Sequence, residues 1–278
     1  MNSAQPCDSL PCYEVYAIRY ATREGRRAAY FLGGDPHDRP MVMDYYVWLI
    51  RDAQRLFVVD AGFDAQMAAR RGRTLLRTPA EGLALLGVDA AAVQEMIVTH
   101  LHYDHIGTYA QFPAARFHLQ DQEMAYATGR HMVHRQFNHG YEVDEICGMV
   151  RKVHEGKVVF HDGDAELAPG LSVHRIGGHT HGLQCVRVHT RRGWVVLASD
   201  TSHFYEHFEQ RRVFTTMFHV GQAIQGYATL EKLADSPAHI VPGHDPLVME
   251  RYPAASAPLA GIVARLDVAP ITTKETQR

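Results

Sequence analysis

Three imidazoles and a carboxylate packed into one hexad, His100-Leu101-His102-Tyr103-Asp104-His105, constrain this chain more than any other feature of it. Imidazole and carboxylate are the donors that zinc and similar first-row ions accept. By composition, an HxHxDH pattern arises by chance in well under about one in a hundred chains of this kind. The apolar run Val93 to Thr99 precedes it, which sets the polar residues at the open end of a strand. In an extended segment residues two apart point the same way, so His100, His102 and Asp104 can converge while His105 turns toward a neighbouring site. The remaining donors must come from elsewhere in the chain.

Three further positions answer that need. His179 lies in Gly177-Gly178-His179-Thr180-His181-Gly182, directly after an expected strand, where glycine lets backbone approach a metal closely. Asp200 follows the run Val195-Val196-Leu197-Ala198, and His244 lies in Pro242-Gly243-His244 after His239-Ile240-Val241. Any one of these alone reads as a turn or cap residue. Together with the hexad they form a set. The chain holds 19 histidines, so position rather than number selects the ligands.

Around these motifs the sequence is organised as α/β. Strands are expected at Tyr13 to Arg19, Tyr45 to Ile50, Leu56 to Val59, Val93 to Thr99 and Arg116 to Leu119. More follow at Lys157 to Phe160, Leu171 to Ile176, Leu183 to His189, Trp194 to Ala198 and Ala238 to Val241. Helices are expected at Asp64 to Arg71, Asp121 to Thr128 and Gly221 to Ala234, and at Pro79 to Leu86 with Thr78 as cap and Gly87 as stop. The stretch from Gly129 to Val153, irregular in pattern, reads as an inserted helical cap. With 278 residues and no linker or repeat, one domain over residues 1–278 is expected, built as two sheets with helices on both outer faces.

Composition narrows the partners. A net charge of -3 offers no global positive field for nucleic acid or anionic lipid, so a small molecule is the expected partner. Met1 to Tyr16 lacks the basic start and apolar core of a secretion signal, and no apolar run approaches the roughly 18 residues of a membrane span. The expected location is therefore cytoplasmic. Cys7, Cys12, Cys147 and Cys185 have no CxxC spacing and read as structural or incidental.

The order HxHxDH, GHTxG, an Asp at a strand end and PGH, running from about Tyr45 to Asp245, resembles the metallo-β-lactamase superfamily. The resemblance implies an αββα sandwich of two mixed β-sheets flanked by helices. It implies that His100, His102 and His179 hold one divalent metal, that Asp104, His105 and His244 hold a second, and that Asp200 bridges them. Zinc is the default, and manganese, iron or cobalt tolerate the same ligands. Asp60, in Val58-Val59-Asp60-Ala61-Gly62, matches an acidic position behind the metal loop, where it would accept a ligand histidine's N–H. The nucleophile would be a hydroxide shared by the two metals. No GxSxG, GxxxxGK[ST] or GxGxxG motif offers a competing chemistry.

Within that superfamily the bridging Asp200 and the PGHDP segment look most like the N-acyl homoserine lactone lactonases, which implies opening of a lactone or carboxylic ester. Those enzymes place a tyrosine three residues beyond the bridging aspartate, and here the position is His203. His203, or Tyr205 reaching in from two residues further on, is the candidate donor to the substrate, and Asp104 completes the candidate catalytic set. Phe204, Tyr205, Phe208, Phe214, Met217 and Phe218 read as core more readily than as pocket wall. The alternative is a thioester hydrolase resembling glyoxalase II, which uses the same ligands but normally presents a basic C-terminal region. After Tyr252 this chain is mostly apolar until Lys274 and Arg278. A homodimer is an expectation of the resemblance alone.

Overall fold

The computed structural model describes residues 10–271. Its first sheet opens with a long antiparallel hairpin, β1 (Glu14–Arg26) against β2 (Pro40–Arg51). Next come β3 (Leu56–Val59), β4 (Thr74–Leu75), β5 (Glu95–Ile97), β6 (Arg116–Gln120) and β7 (Val158–His161). A second sheet holds β8 (Ala165–Ala168), β9 (Leu171–Arg175), β10 (Gln184–Thr190), β11 (Gly193–Ser199) and β12 (Ile240–Pro242). The chain then returns to the first sheet with β13 (Val263–Arg265). The orders are β13-β1-β2-β3-β5-β6-β7, with β4 also on β1, and β12-β11-β10-β9-β8. Both sheets are mixed, since β3, β5, β6 and β7 pair in parallel, as do β11 and β12, while the other pairs are antiparallel.

Burial explains the strand pattern. Val47, Trp48, Leu49 and Ile50 are all fully buried, as are Val58, Val59, Met96 and Ile97. Strands covered on both faces read as continuous apolar runs rather than alternations. Each such side chain contributes roughly 1.5–3 kcal/mol on burial. The two sheets are tied where the site begins. Gln184, fully buried on β10, donates from Nε2 to the carbonyls of Val98 and His118, and its own N–H donates to Thr99 O.

Helices fill the connections. In α1 (Ala65–Arg71) the Asp64 side chain caps the start and Gly72 ends it at φ 64°. In α2 (Pro79–Ala84) Thr78 and Glu81 form a reciprocal capping box. Then come α3 (Tyr103–Ile106), α4 (Asp121–Ala127), α5 (Arg135–Asn138), α6 (Val143–His154), α7 (Tyr205–Gln210) and α8 (Val220–Leu233). The stretch expected to be an inserted cap is helical, containing a 3₁₀ turn at Arg130–Val133 followed by α5 and α6.

The structure departs from the sequence reading in several places. β1 continues past Arg19 to Arg26, through a register shift between Arg19 and Ala21, because its far half is a half-exposed hairpin that has no apolar stripe to announce it. β8 is a short strand folded back on β9 as a hairpin, and β13 is a short strand that owes its pairing to β1, distant in sequence. Residues 237–239 form a 3₁₀ turn rather than the start of a strand. The hexad is not extended throughout, since α3 begins inside it. Cys12, Cys147 and Cys185 are free thiols, whereas Cys7, Lys274 and Arg278 lie outside the described residues. No described helix is long and apolar enough to cross a membrane.

Candidate metal centre

The strands β3, β5, β9, β11 and β12 end at one edge of the sandwich, and the residues just past those ends make the site. Asp60 follows β3, the hexad follows β5, His179 follows β9, Asp200 follows β11 and His244 follows β12. A strand's last carbonyls and the turn beyond it are where polar side chains gather without interrupting the core. At Gly178, with φ 91°, an added Cβ would stand 2.6 Å from the Ala223 nitrogen of α8, so the His179 turn can pass the helix only with glycine there.

Within the hexad, His102 is the N-cap of α3, and the helical turn carries Asp104 out of the group formed by His100, His102 and His179. This corrects the extended reading, in which Asp104 shares a site with His100 and His102. The donor atoms of His100, His102 and His179 group together, and those of Asp104, His105 and His244 form a second group. In the first, His102 Nδ1 lies 3.0 Å from both His100 Nε2 and His179 Nε2. In the second, Asp104 Oδ2 lies 3.7 Å from His105 Nε2 and 4.0 Å from His244 Nε2. Asp200 stands between them. Its Oδ2 is 3.1 Å from His179 Nε2 and 3.8 Å from His100 Nε2, while its Oδ1 is 3.2 Å from His105 Nε2 and 3.0 Å from His244 Nε2.

These separations suit a shared cation. Tetrahedral ligands on zinc–nitrogen bonds of about 2.0–2.1 Å stand roughly 3.3 Å apart. The opposite ring nitrogens are already engaged. His179 Nδ1 faces the Thr216 carbonyl at 2.8 Å, His244 Nδ1 the Asp44 carbonyl at 2.9 Å, and His105 Nδ1 the Asp60 carboxylate at 2.7 Å. Each of these oxygens accepts the ring N–H and leaves the inward nitrogen with a lone pair. His105 Nε2 is buried with no hydrogen-bond partner of its own. Burial, the largest influence, holds His100 and His102 well below the ordinary imidazole range and so neutral. Burial would also depress His105 and His244, but the carboxylates outweigh it, with Asp200 foremost, and raise both. The chemistry and spacing of these donors therefore fit divalent metal ions.

Behind the donors lies a second set of contacts. Asp60, fully buried at φ 61°, accepts from Thr99 N–H at 2.8 Å and Thr99 Oγ1 at 2.8 Å in addition to His105. Ser199, at φ 46°, donates from Oγ to Thr99 Oγ1 at 2.9 Å. Two non-glycine residues in left-handed conformation, at the ends of β3 and β11, are the kind of strain that a site retains when surrounding bonds over-determine it. Sequence reasoning missed Thr99 and also missed Glu123. Glu123 is fully buried on α4 and ties the hexad, the GHTHG turn and Tyr141 together. Its only local signal, an acid in the first turn of a helix, looks like routine dipole compensation.

The two donor candidates separate. His203 joins the cluster: its Nε2 lies 3.0 Å from Asp200 Oδ2 and its ring stacks on Phe214 at 3.7 Å between centroids. Burial lowers its pKa well below the ordinary range, and its Nδ1 has no partner. Tyr205 is not brought to the cluster. Its ring lies under Arg251 at 3.7 Å, on the wall of a different cavity, and its buried hydroxyl has no partner. His219 caps α8 by accepting from the Gln222 N–H. Of the aromatic run, Phe214 lines the cavity over the cluster. That cavity, of about 220 Å³, is small, and Arg23, Tyr45, Arg73 and Tyr103 form part of its rim.

Comparison with known proteins gives the family. A family model described as the metallo-beta-lactamase superfamily matches residues 42–244. A probable metallo-hydrolase of Mycobacterium tuberculosis is 25% identical over 226 residues, covering 72% of this chain and 69% of that protein. An N-acyl homoserine lactonase of Azorhizobium caulinodans is 25% identical over 177 residues, covering 58% of this chain and 61% of its own length. The crystal structure of a quorum-quenching N-acyl homoserine lactone lactonase superposes with a TM-score of 0.71 at 21% identity, covering 85% of this chain and 94% of the other. By its sequence match and its αββα architecture, this chain belongs to the metallo-beta-lactamase superfamily.

Proposed function

We propose that this chain is a dinuclear-metal hydrolase that opens a lactone or carboxylic ester. The observation that carries the reading is the placement of Asp200, whose two carboxylate oxygens face separate donor groups, Oδ2 toward His179 and His100 and Oδ1 toward His105 and His244. His100, His102 and His179 would hold one ion and Asp104, His105 and His244 the other, with Asp200 able to serve both. Two divalent ions, with zinc first and manganese, iron or cobalt on the same donors, supply a hydroxide nucleophile at neutral pH and polarise the scissile carbonyl.

The protein's own residues do the rest. Asp60 holds His105 with its Nε2 inward, and Thr99, itself held by Ser199, holds Asp60. Burial keeps His203 neutral with a single ring N–H, which would serve the substrate carbonyl or the leaving oxygen once the ions take up Asp200 Oδ2, the atom its Nε2 faces at 3.0 Å. Phe214 packs flat against that ring and fixes its plane. The lactonase named among the relatives favours a lactone ring as the substrate.

The test is a hydrolysis screen of metal-loaded protein across lactones, aryl esters, thioesters and β-lactams. At least one lactone or carboxylic ester should exceed every β-lactam in kcat/KM by about a hundredfold or more. Chelation should abolish that activity and zinc, cobalt or manganese restore it. A thioester at the head of the ranking would instead select the glyoxalase-II-like alternative. No turnover of any ester or thioester would overturn the assignment.

A further inference from the structure

The rim of the cavity carries two arginines that, among the described residues, are paired with no carboxylate. β4 pairs antiparallel with β1 in the register Ala21 to Leu75 and Thr22 to Thr74, and one more step sets Arg23 opposite Arg73. Like charges directly opposite on neighbouring strands are destabilising. Both arginines nonetheless line the cavity over the metal cluster. Among the described residues, no carboxylate lies within 4.0 Å of either guanidinium. Arg73 donates from Nε to the Tyr103 hydroxyl at 3.1 Å and from Nη1 to the Arg71 carbonyl, and Arg23 lies 5.6 Å from the Tyr30 ring centroid. The neighbouring Arg71 shows the contrast. It also lines the cavity, but Glu142 neutralises it, with Arg71 Nε 3.1 Å from Glu142 Oε1.

Asp104 and Asp200 do not need these arginines, because the ions of the centre would neutralise them. What remains is a pair of arginines lining a small polar cavity, one of them hydrogen-bonded to the residue that precedes Asp104. Guanidinium forks match the two oxygens of a carboxylate, and an anion between the two would turn their repulsion into attraction. We propose that Arg23 and Arg73 form a carboxylate subsite, so that the substrate is a compact lactone or ester bearing an acid group at the end away from the scissile bond. This rests on the hydrolase reading, and the cavity of about 220 Å³ favours a short acid over a long neutral acyl chain.

Two measurements separate this inference from the hydrolase reading. The first is calorimetric titration of glutarate, and separately of inorganic phosphate, into metal-loaded protein. Glutarate should bind the wild type, and Arg73→Gln should weaken it by at least about tenfold, the scale of one charge-assisted hydrogen bond, with metal content unchanged. Arg23→Gln, which removes no hydrogen bond seen here, should weaken it in the same direction and serves if Arg73→Gln folds poorly. The second compares N-succinyl homoserine lactone with its methyl ester. The acid should be preferred by at least about tenfold, mainly through KM, and Arg23→Gln/Arg73→Gln should erase the preference. A preference that survives in the double variant would mean that the metals hold the carboxylate, and would overturn the proposal. So would equal handling of acid and methyl ester by the wild type, or phosphate binding tighter than glutarate by about tenfold. Arginine-dependent glutarate binding without turnover of any ester would uphold the subsite and sink the hydrolase reading.

Discussion

Replacing Glu123 by Gln tests how the two main ligand turns are held together. Glu123 Oε1 accepts from the Leu101 N–H at 3.0 Å and the Tyr141 hydroxyl at 2.8 Å. Its Oε2 accepts from the Thr180 hydroxyl at 2.7 Å and the Gly182 N–H at 3.0 Å. Glutamine keeps the shape but turns one acceptor into an NH₂ group. Whichever way the amide lies, one hydroxyl can rotate to accept from it, while one backbone N–H, of Leu101 or of Gly182, is left facing a donor. An orphaned buried donor costs about 1–3 kcal/mol, and the bonds that remain lose their charge assistance. The sum is about 3 kcal/mol. For a chain of this size that is a fall in Tm of roughly 5 °C. Because the affected turns carry His100, His102 and His179, metal should also be lost more readily to a competing chelator. Thermal melts of metal-loaded wild type and Glu123→Gln, with a chelator titration of each, make the comparison. A variant within about 0.5 kcal/mol of wild type and equal in metal retention would refute this account of how the turns are positioned.

His203→Ala should keep both ions yet lower kcat by about a hundredfold, the loss expected for one directed donor, as read from steady-state rates beside elemental analysis. Loss of an ion in that variant would instead make His203 a ligand, as its distance to Asp200 allows. A third prediction concerns pH. Glu145, beside Gly107 and with Oε2 lacking a partner, is raised to about 8, chiefly by burial and then by Glu142. A carboxyl raised on folding holds a proton that the unfolded chain releases, so its contribution is complete below about 4.5, shrinks as pH rises and is gone above about 8. Glu145→Gln should therefore lose less Tm than wild type between about pH 6 and about pH 9, and an identical loss would sink the argument.

The hexad, the GHTHG turn, Asp200 and Pro242-Gly243-His244 were legible because each follows an apolar run, and strand ends converge in a sandwich of this kind. Asp60 was legible for the same reason, standing at the end of β3. What failed was local geometry inside the hexad. An extended HxHxD places Asp104 with His100, but the Gly140 carbonyl accepts the Tyr103 N–H and the His102 carbonyl accepts that of His105, which winds the segment into a helical turn. Glu123 was invisible because its four partners lie at Leu101, Tyr141, Thr180 and Gly182, far from it along the chain. Arg73 was invisible for a related reason, since it faces Arg23 through a two-residue strand too short to have a pattern. Tyr205 shows the limit of spacing arguments. It stands two residues from His203 but begins α7, and the helix carries its ring to another cavity.

The central claim is a centre for two ions spanned by one carboxylate, and the most direct measurement is metal content per chain in wild type and Asp200→Asn. Elemental analysis of folded, active wild type should find two divalent ions per chain. Asn in place of Asp200 presents one carbonyl oxygen and one NH₂ group, so it can serve one donor group but not both, and loading should fall toward one ion. Fully active wild type holding a single ion, or an Asp200→Asn variant that retains two ions as tightly as wild type, would contradict the account.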